Sequence, residues 1–177
     1  VIGVEDLNEL VMLLVSGGYK NYQIKEEIEE ENISTVYEHN FKWIKGQVMA
    51  KRAAEIAAAG MHNILLVGPP GTGKTAIAKA MKTILPEMSQ NEKIEISKIQ
   101  SIAGKLEGNL VGERPFRNPH HTTTVTAMTG GGINPKPGEM TMAHGGVLYM
   151  DEFTEFSRGV MEAMRQPLED KKIVISR

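Results

Sequence analysis

The chain has no cysteine, few aromatic residues (5%, with a single tryptophan) and no excess of either charge. Each shortage removes a class of explanation. Without cysteine there are no disulfides and no thiolate metal sites, which fits a reducing compartment, and the cytoplasm is the expected location. With so few aromatics, aliphatic side chains and the 11 methionines must fill the core. There is no unbroken apolar run of the roughly 18 residues a membrane helix needs, and no basic-then-apolar leader, so nothing argues for a membrane or for export. Twenty Lys and Arg against 22 Asp and Glu leave a formal net charge of −2 and a pI near 6.3. That balance gives no overall electrostatic footprint for nucleic acid, while a local basic loop stays open.

What is present is 177 residues, 41% hydrophobic and 24% charged, enough for one full-sized core. The chain opens on Val1 and stops at Arg177, just after Ile173, Val174 and Ile175 in what reads as a strand in progress, so a piece of a longer protein is expected. Asp6 and Glu9 cap an apolar stripe of Leu7, Leu10, Val11 and Leu14, and Gly17-Gly18 ends it, the pattern of a short amphipathic helix. Glu26, Glu27, Glu29, Glu30 and Glu31 follow; such density resists a packed core and reads as a linker or a solvated helix, with an acidic binding tail as the alternative. A domain boundary falls within residues 20–42, so that 1–40 precede a main domain of 41–177.

Gln47 to Ala59 reads as a helix with Met49, Ala53, Ile56 and Ala57 on its apolar face and Gly60 at its end. Ile64-Leu65-Leu66-Val67 is the short apolar run of a buried parallel strand. A helix from Ala76 to Leu85 runs up to Pro86, and Ser89 with Glu92 forms a capping box for another through Ala103; Ile94 and Ile96 allow a strand there instead. Residues 104–146 are rich in glycine, proline and threonine, an elaborated insertion in which Gly132 to Gly146 reads as a hairpin centred on Pro135-Lys136-Pro137-Gly138. Val147 to Met150 is a second buried strand, Ser157 caps a helix near Val160 to Leu168, and Ile173 to Ile175 is a third strand.

Gly68-Pro69-Pro70-Gly71-Thr72-Gly73-Lys74-Thr75 satisfies G-x-x-x-x-G-K-[ST] between an expected strand and an expected helix. Glycines let the backbone curl until successive N–H groups point at phosphate oxygens, and the following helix adds its positive end. Lys74 would reach the β- and γ-phosphates, and the Thr75 hydroxyl would join the shell of Mg²⁺. The bland alternative is a tight glycine-rich turn. Hydrolysis also needs a carboxylate beside the metal and another that handles water. Asp151 and Glu152, at the end of the second strand, supply both: Asp151 for Mg²⁺ and Glu152 as general base, unless the pair is only a solvated loop. The expected fold is an α/β P-loop NTPase, a three-layer sandwich with helices on both faces of a mostly parallel central sheet.

The P-loop, with Lys45-Gly46-Gln47 upstream of it, resembles the AAA+ ATPases, and the resemblance places Gly46 and Gln47 near the adenine. Arg114 to His121, Gly130 to Gly132, Pro135 to Glu139, Ala143 to Glu152, Arg165 to Asp170 and Ile175 to Arg177 are similar to the magnesium-chelatase-like family, and within it to the ComM (YifB-type) competence-related branch. The resemblance runs from about Phe41 to the end. It implies a hexameric ATP- and Mg²⁺-dependent helicase that drives branch migration on DNA, preceded by a Lon-protease-like domain whose tail and acidic linker would be residues 1–40. It also implies sensor residues, an arginine finger and a helical lid beyond Arg177, so that this piece alone would bind nucleotide and turn over poorly.

Three smaller readings remain. His120-His121 invites a metal, but adjacent histidines generally point apart and there is no cysteine; a turn held by Pro119 and a phosphate-facing loop are the competing readings. Arg114, Arg117 and Lys136 form either a basic patch for single-stranded or branched DNA or a scattered solvated surface. Met140, Met142, Met150, Met161 and Met164 suggest core filling more than a binding groove.

Overall fold

In a computed structural model the described residues are 7–17, 39–106, 108–132, 135–170 and 172–173. The chain divides into two units, Val1–Val36 and Tyr37–Arg177. In the first, helix α1 (Leu7–Ser16) is ended by Gly17 at φ +66°, and its stripe residues Leu7, Leu10, Val11 and Leu14 are exposed. The expected acidic linker lies outside the described residues.

The second unit starts from a 3-10 turn, Phe41–Trp43, followed by α2 (Val48–Gly60), α3 (Lys74–Ala80) with a 3-10 extension over Met81–Ile84, and α4 (Gln90–Ile102). One core lies between the 3-10 turn, α2 and α3 with its extension, built from Phe41, Ala54, Ala57, Ile77, Ala80 and Met81. The buried face of α2 is therefore Ala54, Ala57 and Ala58, which shares only Ala57 with the expected one: Met49 is 84% and Ile56 52% exposed, and Ala53 is exposed as well. Alanines at i, i+3 and i+4 let α3 approach closely, which the bulkier face would prevent. Gly60 is the last helical residue, and the left-handed turn falls on Met61 at φ +53°. The helical reading of 89–103 holds, with both halves of the Ser89/Glu92 capping box formed.

Residues 64–67 depart from expectation. No ladder among the described residues includes them; Ile64 and Leu66 pack on the α2–α3 core, whereas Leu65 is 73% and Val67 85% exposed. A run apolar on both faces finds a helix on only one. Parallel pairing among the described residues is confined to β1 (Phe116–Arg117) and β4 (Val147–Leu148), in register Phe116 with Val147 and Arg117 with Leu148. Val147 N donates to Pro115 O at 2.9 Å and Tyr149 N to Arg117 O at 2.8 Å. Of the expected sandwich, then, the structure holds a mixed helix–sheet arrangement with a small parallel sheet. The expected third strand, 173–175, falls largely outside the described residues.

Within the insertion, α5 (Val125–Thr129) leads into β2 (Gly130–Gly131), which pairs antiparallel with β3 (Lys136–Pro137), and α6 (Glu139–Met142) follows at once. The hairpin is thus shorter than expected: Pro135 stays in its turn, Lys136–Pro137 form its returning strand and Gly138 caps the helix that follows. A Cβ on Gly138 would lie 2.3 Å from Gly130 N, so only glycine permits this crossing. Helix α7 (Arg158–Asp170) begins with Val160 N donating to Ser157 Oγ. It packs Val160 and Met164 against Met128 and Phe156, with Met140, Met150 and Met161 around them. Methionine fills the irregular space between short elements, as its abundance and the scarcity of aromatics imply.

Candidate functional site

The glycine-rich loop leads directly into α3. Gly71 and Gly73 sit at φ +76° and +88°, a region costly to residues with a Cβ, and Gly73 is the N-cap of α3. Thr72 Oγ1 donates to Pro69 O at 2.9 Å, closing the loop on itself. Lys74 Nζ lies across the loop, donating to Gly68 O at 2.8 Å and Pro69 O at 2.7 Å. Its ammonium is thus held by two neutral carbonyls, weaker partners than an anion would be.

Beside the loop is a cavity of about 320 Å³ lined in part by His39, Trp43, Ile44, Gln47, Thr72 and Ala76. Its wall is well anchored. Phe41 is buried and its N–H donates to Thr83 Oγ1 at 3.1 Å, and Lys51 Nζ donates to Ile44 O. Gly46 and Gln47 both take left-handed conformations, φ +66° and +50°, which turns the Gln47 amide back to donate to Thr72 O at 2.9 Å. The upstream element therefore touches the loop and shares a pocket with it. Of the upstream residues lining this cavity the sequence pointed to Gln47, while Gly46 is not among them and His39, Asn40, Trp43 and Ile44 carried no motif; the lone tryptophan just ahead of Lys45-Gly46-Gln47 was the available signal.

On the other side, β4 ends beside α3. Tyr149, read from sequence as strand filling only, donates its hydroxyl to Thr75 Oγ1 at 3.2 Å. Burial raises the phenol pKa; the Thr75 hydrogen bond opposes that, and the Asp151 carboxylate raises it further. Asp151 Oδ1 accepts from Glu152 N at 3.1 Å. Glu152 sits at φ +52° and ψ +49°, a conformation that costs a non-glycine residue on the order of 1 kcal/mol, and its carboxylate lies 3.5 Å from His121 Nδ1. Thr75 and Asp151 offer hard oxygen donors, and no group of three or more His, Cys, Asp or Glu suited to a metal occurs among the described residues. That donor set suits Mg²⁺, which keeps waters and is commonly held by one or two carboxylates plus substrate phosphates.

The remaining candidates resolve structurally. The His120 and His121 rings lie against each other, centroids 4.0 Å apart, instead of pointing apart, and Thr123 N donates to His120 O in a turn after the buried Pro119. Arg114 is 7% exposed and donates to Pro86 O and Gly145 O at 2.7 Å and to Glu87 O at 3.3 Å, with Glu92 2.9 Å away. Arg117 grips Glu139 with two bonds, 2.6 and 2.8 Å, holding the Glu139 carboxyl below its ordinary pKa. Two of the three suspected DNA-facing cations are thus spent on internal partners, leaving Lys136 exposed.

The family model described as magnesium chelatase, subunit ChlI, matches residues 40–177. Competence protein ComM of Haemophilus influenzae is 51% identical over 135 residues, covering 76% of this chain and 26% of that protein. An uncharacterized protein of Escherichia coli K12, YifB, is 44% identical over 146 residues, covering 82% and 29%. Lon protease 2 of Bacillus subtilis is 32% identical over 148 residues, covering 77% and 26%. The chain spans little more than a quarter of the length of these relatives. The matched family is one of AAA+ P-loop proteins, which sets the class of this chain. More narrowly, the chain belongs to the magnesium-chelatase-like family, in its ComM/YifB branch.

Proposed function

We propose that residues 41–177 are the ATP-binding and hydrolysing core of a ring-forming AAA+ motor that works on DNA as a branch-migration helicase in the cytoplasm. The observation that carries the reading is the junction at the P-loop: an open cavity and Gln47 on one side, and Thr75 tied to the Asp151 strand on the other. In this reading the base enters the cavity between Trp43 and Gln47, and the amides from Gly68 to Thr75 face the phosphates. Lys74 exchanges the carbonyls of Gly68 and Pro69 for phosphate oxygens, gaining charge-assisted bonds. Thr75 and Asp151 hold Mg²⁺. When bound, the cation neutralises charge on the transferred phosphoryl group. Glu152 orients the water for in-line attack on the γ-phosphate. Residues 1–40 are proposed as the tail of a Lon-protease-like domain with its linker, and full turnover is proposed to need an arginine from a neighbouring subunit in a hexamer.

The DNA assignment is supported by the 51% identity to a protein named for competence. A motor that serves metal insertion is the second reading, favoured by the description of the matching family model. In the full-length protein, Lys74→Ala is expected to abolish ATP binding, while Glu152→Gln keeps binding and stops hydrolysis. Unchanged turnover in either variant refutes the assignment. Forked or four-way DNA is expected to stimulate the ATPase; stimulation by protoporphyrin with Mg²⁺ and by no DNA transfers the proposal to the second reading.

A further inference from the structure

Tyr149 reaches the P-loop from the strand that carries Asp151, and it is firmly placed. Its N–H is bonded to Arg117 O, and its ring lies 6.1 Å, centroid to centroid, from Phe116 of β1. Only two side-chain torsions separate that braced backbone from the hydroxyl, which costs little entropy to fix. The hydroxyl meets Thr75 Oγ1 at 3.2 Å, and the Asp151 carboxylate is its other polar neighbour. A threonine oxygen has two lone pairs and one O–H. With Tyr149 donating to one lone pair, the other is directed and the rotor no longer turns freely. Early in a helix, an unheld threonine hydroxyl can turn back toward backbone carbonyls instead.

We propose that Tyr149 is a positioning residue that sets how strongly Mg²⁺ tightens nucleotide binding, by holding the Thr75 hydroxyl in register with Asp151. The inference rests on the nucleotide reading above and adds to it a residue that touches neither phosphate nor reacting water. A phenylalanine keeps the ring, its packing on Phe116 and the β1–β4 pairing, and removes only the hydroxyl. The cost is that of one hydrogen bond, so the shift is about three- to tenfold in the Mg²⁺ requirement.

The test measures binding of a fluorescent, non-hydrolysable ATP analogue to the full-length protein, first in EDTA and then across a Mg²⁺ series. Tyr149→Phe is expected to leave the EDTA affinity within about twofold of wild type and to raise the Mg²⁺ concentration for half-maximal tightening by about three- to tenfold. In a Thr75→Val background the same substitution should produce no further shift, because the partner oxygen is gone. Superimposed Mg²⁺ titrations of wild type and Tyr149→Phe overturn the proposal. So does an equal loss of affinity with and without Mg²⁺, which would make the phenol a brace for the loop and not for the cation site. If wild type binds no analogue under any condition, the nucleotide reading itself falls; if it binds and the titrations coincide, only the Tyr149 assignment does.

Discussion

Removing the Arg114 side chain should unfasten the part of the domain that delivers the acidic pair. Arg114 is 7% exposed and joins the segment before α4, through Pro86 O and Glu87 O, to the turn before β4, through Gly145 O. Its fourth partner, Glu92, is also the capping-box residue of α4. Partly buried hydrogen bonds from a charged donor contribute about 1.5–3 kcal/mol each. Two bonds of 2.7 Å and a weaker one of 3.3 Å therefore set the loss at about 3–5 kcal/mol. The Glu92 carboxylate is 39% exposed, so solvent screens its pairing and it adds little. Arg114→Met keeps most of the volume while deleting every donor. The assay is hydrogen exchange in the α4 amides of the full-length protein, read by mass spectrometry. If those amides exchange through the opening that breaks this junction, protection should fall by about two to three and a half orders of magnitude. Arg114→Lys should recover little, since an ammonium cannot span three carbonyls as the guanidinium fork does. A change of less than about fivefold in Arg114→Met would refute the view that this buried cation is a structural clasp.

Two further outcomes follow from the geometry. Gly146→Ala puts a Cβ 2.0 Å from Pro115 O, the carbonyl that accepts the first bond of the β1–β4 pair; the expected loss is about 1–3 kcal/mol or more, and ATPase activity should fall with it, whereas unchanged melting would show that the strands separate freely. Acid should weaken the domain in a defined window. Ser89, through its backbone and hydroxyl, and then Arg114 hold the Glu92 pKa down to about 2 from an ordinary 4.5. A depressed folded-state pKa gives stability that is complete above the unfolded value and is lost as pH falls from about 4.5 toward 2. Glu139, lowered by Arg117, acts in the same direction. Glu92→Gln should flatten that part of the stability–pH curve, and an unchanged curve would contradict the assignment.

Local chemistry is legible in the order of the residues. The Ser89/Glu92 capping box, the helices around it and the glycines of the P-loop are determined within a few residues by hydrogen bonding and allowed dihedrals, so their signals survive in the bare sequence. The methionine core is also readable, because composition restricts what can fill space. Contacts across long sequence separations are not. The face that α2 buries depends on how near α3 comes, and that distance selected Ala54, Ala57 and Ala58 over the larger apolar residues. Arg114 and Arg117 look like free cations until the fold brings carbonyls and Glu139 to them. Likewise Tyr149 is one more apolar letter in a strand until β4 ends against α3, 74 residues from Thr75, and its hydroxyl finds a partner. By itself the sequence determined the glycine-rich loop, since eight consecutive residues carry the dihedrals and hydrogen bonds that shape it. Only the tertiary structure decided what stands on either side of that loop, because a pocket wall and a phenol–threonine bond are made by segments whose proximity no local rule encodes.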